Sequence, residues 1–433
     1  MTISNTQLLA DRERLLGPHV PTFYDEPVQL VRGDGVWVWD ADGKQYLDCY
    51  NNVPHVGHCH PKVVEAICQQ TRTLTTHTRY LHEGIVRYID KLTKTFEQPL
   101  STAIMTCSGS EANDIALRMA EAVTGNRGVI ATDHTYHGNT TVVAQLSMTN
   151  RPATGDASHV RHVPAPDSYR PPNNQPGLPH AQAFGDSVKE KIDELNNTKH
   201  GFSALIVCPY FANEGFPDLQ RGFLEAAAKA VHDAGGIIIA DEVQPGFGRL
   251  GSHMWGYQRI GLTPDIITLG KPMGNGYPVA GVVTSSEYMT AFRESFRYFN
   301  TFGGNPVASA AAEAVLDVMD EEDLMQQAHL VGQYAREGLE SLAQTHQCIG
   351  DIRGAGLFFG AEMVVDSTTR TPATVFTNRV ANAMRHEGVL LNKLGIHYNT
   401  LKIRPSMQFT KTNADQLLET LDKVLTRLGP ADE

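Results

Sequence analysis

Two short aliphatic runs end in groups that could do chemistry together. Residues 236–240 (GIIIA) run into Asp241, and residues 266–269 (IITL) lead through Gly270 to Lys271. Runs of this kind read as strands covered on both faces, and ligands in such sheets sit beyond the carboxyl ends of the strands. A carboxylate and an amine are thereby offered to one crevice. Lys271 sits in a Gly-Lys-Pro turn among Gly270, Gly274 and Gly276, so a bulky group can come close to the backbone there.

Lysine forms Schiff bases with carbonyl cofactors. Pyridoxal phosphate (PLP) sites combine such a lysine with an acid facing the pyridine nitrogen. The plain alternative for Asp241 and Lys271 is a salt bridge between two strand ends. The neighbouring residues decide against it, because DEVQPGFGRLG (241–251) followed by TLGKPMGNG (268–276) resembles the cofactor site of class III aminotransferases. These are fold-type I PLP enzymes, and the likeness extends from about Val36 to the last helix.

The resemblance implies an α/β fold: a large domain with a mostly parallel seven-stranded sheet between helices, and a smaller α/β domain made from both chain ends. The expected division is 1–60 for the N-terminal arm and part of the small domain, 61–320 for the large domain and 321–433 for the rest of the small one. It also implies Lys271 as the cofactor lysine and base, with Asp241 on the ring nitrogen. Val243 and Tyr136 would sandwich the ring, Gln244 would contact its 3-hydroxyl, and His137 would stand beside them. The turn SGSEAND (108–114) reads as a capping box, Ser108 with Glu111, and its helix start also suits a phosphate, so Gly109 and Ser110 are assigned to the cofactor phosphate. FNTFGGNP (299–306) matches a loop whose threonine, Thr301, reaches the phosphate of a neighbouring subunit. A homodimer with shared sites, or a tetramer built from it, is implied.

A narrower likeness concerns substrate. NNVPHVGHCHP (51–61) together with TRYLH (78–82) resembles the branch of ethanolamine-phosphate and phosphohydroxylysine phospho-lyases. Cys208 stands where many class III aminotransferases carry a glutamate that pairs with a movable arginine. In LKIRPSMQFT (401–410) Lys402 takes the place of the arginine that grips an α-carboxylate, with Arg404 two residues on and, by strand alternation, on the same face. Tyr50, Arg79, Lys402 and Arg404 are the expected substrate residues. The reaction expected is β-elimination of phosphate from O-phosphoethanolamine. The alternatives are an ω-aminotransferase and a PLP-binding protein without activity, the latter disfavoured by the intact Lys271 and Asp241.

Two other motifs carry rival readings. Gly246, Gly248 and Gly251 spell GxGxxG, but Asp241, Glu242 and Pro245 intervene after the strand and no amphipathic helix is expected to follow. His55, His58, Cys59 and His60 suggest a metal, yet adjacent residues on an extended chain point opposite ways, and no metal is expected.

The remaining elements must position these groups. Residues 35–50 read as a β-hairpin turning at Asp42-Gly43, and Pro61 opens a helix with Val63, Val64, Ile67 and Cys68 on one side. Strands are expected at 103–107, 128–132 and 203–208, and helices at 187–197 and 220–234. Residues 151–185 read as an irregular surface excursion. Helices at 307–319 and 322–345 lead to strands near 349–364 and 388–392, a helix near 375–387 and a last helix from about 412. The first 34 residues form an arm, broken by Pro18, Pro21 and Pro27, with another subunit as its expected partner.

With 433 residues, 41% hydrophobic, the chain can bury a large core. A net charge of -12 without a basic tract speaks against nucleic acid or an anionic membrane as partner, leaving a small phosphorylated amine. The six cysteines are scattered and read as reduced thiols. With no apolar leader or membrane span in view, a cytoplasmic location is expected.

Overall fold

The computed structural model describes residues 3–149, 155 and 157–432. Its centre is a seven-stranded sheet in the order Thr102–Thr106, Ala280–Thr284, Ile266–Leu269, Ile237–Asp241, Phe202–Val207, Gly128–Thr132 and Val160–Val163. Ala280–Thr284 runs antiparallel to both its neighbours, and the other adjacent pairs are parallel. Six strands therefore deliver their carboxyl ends to one edge. The five central strands are buried on both faces, as uninterrupted apolar runs require, while the edge strands Thr102–Thr106 and Val160–Val163 are only partly so. One apolar cluster unites Ile104, Ile115, Met119, Ile206, Ile239, Ile266 and Val282, packing helix Gly109–Thr124 onto the sheet.

Both chain ends meet in a second sheet. The hairpin Trp37–Asp40 and Gln45–Asp48 takes Leu30–Asp34 on one side and Val389–Leu390, parallel, on the other. A third, antiparallel sheet orders Ile349–Ala355, Phe358–Asp366, Thr400–Ile403 and Asn392–Leu394. Strand Thr400–Ile403 is thus interior and wholly buried.

Several expected elements differ in detail. The excursion expected at 151–185 contains strand Val160–Val163 and the first turns of helix Leu178–Asn196; residues 151–154 and 156 lie outside the described residues. That helix starts nine residues before the expected 187 because Pro179 falls in its first turn, where proline is tolerated. The helix expected at 220–234 is shorter, Glu225–Asp233, preceded by turns around Gly222. In helix Pro61–Thr73, Val63 is buried but Val64 is exposed, since one residue further rotates a side chain about 100° around the axis.

Candidate active site

Strand Ile237–Asp241 ends with Asp241 buried at the edge of the sheet. Its Oδ2 accepts from Nδ1–H of His137 at 2.6 Å and from Nδ2 of Asn113 at 3.0 Å, and its Oδ1 accepts from the Val243 amide at 3.0 Å. Burial pushes this carboxyl up, but the His137 hydrogen bond and charge outweigh it and the net shift is downward. Asp241 is a fixed anion. Asn113 is itself locked, donating to the His137 carbonyl at 2.7 Å and accepting from the Thr268 hydroxyl at 2.7 Å.

Across the cleft, Lys271 opens the turn after strand Ile266–Leu269 in a left-handed conformation, φ 30°. Burial, then the Arg404 charge, lower its amine below the ordinary lysine range, against the pull of Asp241. Gly109 and Ser110 begin helix Gly109–Thr124 on the same cleft. The capping box is present: Ser108 Oγ accepts from the Glu111 amide while the Glu111 carboxylate accepts from the Ser108 and Cys107 amides. Ser108 satisfies the Glu111 and Ala112 amides, and Gly109 and Ser110 line the cleft at the positive end of the helix dipole. A Cβ at Gly138 would lie 2.5 Å from Ser110 Oγ, and one at Gly109 would lie 3.0 Å from Val243, so glycine keeps both loops tight around the opening.

Gly109, Ser110, Tyr136, His137, Asp241, Val243, Gln244 and Lys271 all line this one cleft, joined by Cys208 and Asn213. Thr301 does not: it is exposed on its own loop. Arg79 is also exposed, its guanidinium 3.7 Å from the Phe299 ring centroid. Tyr50 is half-buried, and its carbonyl accepts from Arg404 at 3.3 Å.

Lys402 and Arg404 are buried and share one acceptor. Lys402 Nζ donates to Gln244 Oε1 at 3.0 Å, and Arg404 donates to the same oxygen. Gln244 Nε2 in turn donates to Asn213 Oδ1 at 3.1 Å. The amide oxygen expected near a ring hydroxyl is thus engaged by two cations. Behind them, fully buried Arg249 donates to the carbonyls of Leu357 and Pro405 and to Nδ1 of His55. Among the described residues none of these three cations pairs with a carboxylate. Burial lowers Lys402 well below the usual range, reinforced by the charges of Arg404 and Lys271, and lowers Arg404 to about 10.

Asn113, Asn213 and Arg249 were not singled out from the sequence. A lone asparagine on a helix or loop carries no signal of its own, and Arg249 was visible only as a filler within GxGxxG. That motif serves packing, since a Cβ on Gly246 would strike Trp255 and one on Gly251 the His329 backbone. The histidines near 55–60 are separately engaged: His58 by Asp48, His60 by Glu322, and His55 by the Phe247 carbonyl and Arg249.

An amine, a fixed carboxylate and a capped helix start at the carboxyl edge of this sheet are the parts of a PLP-dependent enzyme of fold type I. The chain belongs to the class III aminotransferase family: the profile described as "Aminotransferase class-III" matches residues 21–425. It is similar to a phospholyase from Arthrobacter solved in complex with phosphoethanolamine, at 45% identity and a TM-score of 0.93, covering 98% of this chain and 100% of that one. It is 36% identical to ethanolamine-phosphate phospho-lyase homolog 1 of Caenorhabditis elegans, over 98% of this chain and 94% of the relative. It is 40% identical to an alanine–glyoxylate aminotransferase 2-like protein of Drosophila melanogaster, over 98% and 88%. The cofactor is PLP, and the cleft's donor set fits it. Lys271 would offer the amine, Asp241 a carboxylate for the ring nitrogen, and the helix start its amides for the phosphate.

Proposed function

We propose that the protein is a phospho-lyase that eliminates phosphate from O-phosphoethanolamine, giving acetaldehyde, ammonia and phosphate. The observation that carries this reading is the buried pair Lys402 and Arg404, whose fields reach Lys271, with Arg249 behind them and no carboxylate paired to any of the three among the described residues. Buried charge without a partner is costly and calls for a ligand of opposite sign. A phosphate dianion supplies it. Cys208 in the cleft, in place of a glutamate, leaves that positive field intact.

Bound PLP supplies an aldehyde for amines and a ring that accepts electrons. The chain does the rest. Lys271, its amine favoured in neutral form by burial and by Arg404, removes the proton from the carbon that bears nitrogen. Asp241, held as an anion by His137, Asn113 and the Val243 amide, would hold the ring nitrogen. Tyr136 and Val243 would flank the ring, while Lys402 and Arg404 would hold the substrate phosphate with Gln244 as their shared spacer.

Thr301 and Arg79 belong, on this proposal, to the site of a second copy in a homodimer. Thr301, Phe302, Tyr80 and Leu81 are all exposed in the single chain, the last fully so. No helix among the described residues is long and apolar enough to cross a membrane. The cytoplasm remains the compartment proposed.

The test is product analysis on purified, PLP-loaded protein given O-phosphoethanolamine without a keto acid or aldehyde acceptor. Repeated release of phosphate and acetaldehyde is expected. Amine consumption that needs added pyruvate, without phosphate release, would replace the reading by an ω-aminotransferase.

A further inference from the structure

Expelling phosphate raises a proton problem. Near neutral pH a phosphate monoester is largely a dianion. If its C–O bond breaks with the electron pair going to oxygen, the phosphate departs as a trianion, a very poor leaving group. A proton must reach it during the cleavage. The groups around the anion site differ in their ability to supply one. Arg404 and Arg249 have their protons engaged, Arg404 by Gln244 and the Tyr50 carbonyl, Arg249 by the Leu357 and Pro405 carbonyls and His55. His137 donates its Nδ1–H to Asp241, and its Nε2 faces Thr135. Burial, with the charges of Asp241 and Glu214, raises the Cys208 thiol well above its ordinary range, so it holds its proton.

Lys402 is different. As an ammonium it has three protons and one hydrogen-bond partner, Gln244 Oε1 at 3.0 Å, and its nitrogen lies over the Phe358 ring, 5.1 Å from the centroid. The charged groups facing it are Arg404 on its own strand, Lys271 and Cys208 on the cleft, and Arg249 behind. Every charged neighbour but the thiol is a cation. An ammonium there is stabilised while a phosphate is present and loses that support as the phosphate leaves.

Resting on the phospho-lyase reading, we propose that Lys402 is the general acid that protonates the departing phosphate. Lys271 takes the proton from the carbon bearing nitrogen, and that carbon's electron pair forms the new C=C bond. The C–O bond breaks with its pair to oxygen, a proton passes from Lys402 Nζ to the phosphate, and hydrogenphosphate departs. Lys402 is left as a neutral amine that regains a proton from water when the next phosphorylated substrate binds.

The leaving group provides the test. Sulfate leaves as a stable dianion without a proton, so O-sulfoethanolamine keeps the anion and removes the need for an acid. In Lys402→Arg the positive charge stays but no proton can be given. Turnover of O-phosphoethanolamine relative to O-sulfoethanolamine should fall about 100-fold or more, the usual worth of a positioned acid. Equal loss on both esters would overturn the assignment and pass the role to Lys271, protonated by the first step. A second measurement needs no variant. Calorimetry of inorganic phosphate binding to the PLP-loaded wild type, near pH 8 in buffers of different ionisation enthalpy, should show uptake of about one proton. Absence of uptake would also overturn it. If the wild type releases no phosphate from O-phosphoethanolamine at all, it is the phospho-lyase reading that fails.

Discussion

Nδ1–H of His137 meets Oδ2 of Asp241 at 2.6 Å, with both side chains almost wholly buried. A carboxylate only accepts, so the shared proton sits on the histidine, and the imidazole is fixed in orientation by Thr135 at its far nitrogen. Burial alone would push Asp241 toward neutrality; the histidine reverses this.

Replacing His137 by phenylalanine should therefore weaken Asp241 as an anion without moving Lys271. Hydrogen bonds to charged groups contribute about 1.5–3 kcal/mol, which predicts a loss of roughly 10- to 100-fold in kcat. The check is kcat with the pH dependence of the bound cofactor's absorbance. An unchanged pH profile in His137→Phe would mean that the histidine only fills space.

Gln244 holds two cations with one oxygen, so Gln244→Glu places a carboxylate between them. The ion pairs formed are buried and hydrogen-bonded, and the variant should melt about 2 °C or more higher. Occupied by the new charge, the cations should bind phosphate at least about 10-fold more weakly. Melting curves and inhibition by inorganic phosphate read the two effects. A variant that binds phosphate as well as the wild type would show that Lys402 and Arg404 do not form the anion site.

Glu242 supplies a pH prediction away from the substrate. It is fully buried, accepts from the Gly256 and Tyr257 amides at 2.9 and 2.7 Å, and burial raises its carboxyl from 4.5 to about 8. The folded chain then holds a proton that the unfolded chain has lost. Stability from this group is fully present below about pH 4.5 and declines as pH rises toward 8. Glu242→Gln removes the titration, so its melting temperature should gain on the wild type across that interval. Parallel melting curves from pH 5 to pH 8 would show that Glu242 ionises normally.

Much of this was legible because the chemistry rides on strand ends. Asp241 and Lys271 are announced by aliphatic runs that must be buried, and the helix start at Gly109 by its capping box. The Lys402–Arg404 alternation on one face was also readable, and both side chains reach Gln244. What the sequence hides is contact between distant segments. Asn113 reaches Asp241 across 128 positions, and Arg249 reaches Pro405 across 156. Neither has a periodic or spacing signature, because only the folded sheet sets those distances. Helix Leu178–Asn196 was curtailed for the opposite reason: Pro179 reads as a breaker unless it is known to occupy a first turn.

The two ends of the cofactor cleft should fail separately. Lys271 supplies the covalent link, so Lys271→Ala should still retain PLP through the helix start and Asp241, yet borohydride should no longer fix cofactor to the chain. Gly138, at φ 144°, lies against Ser110, and a methyl group there would sit 2.7 Å from the Ser110 Cα. Gly138→Ala must displace the first turn of helix Gly109–Thr124, where the phosphate would bind. That variant should lose PLP on gel filtration while keeping a lysine that borohydride can trap when PLP is in excess. If Gly138→Ala holds PLP as firmly as the wild type, the phosphate is not held at Gly109 and Ser110.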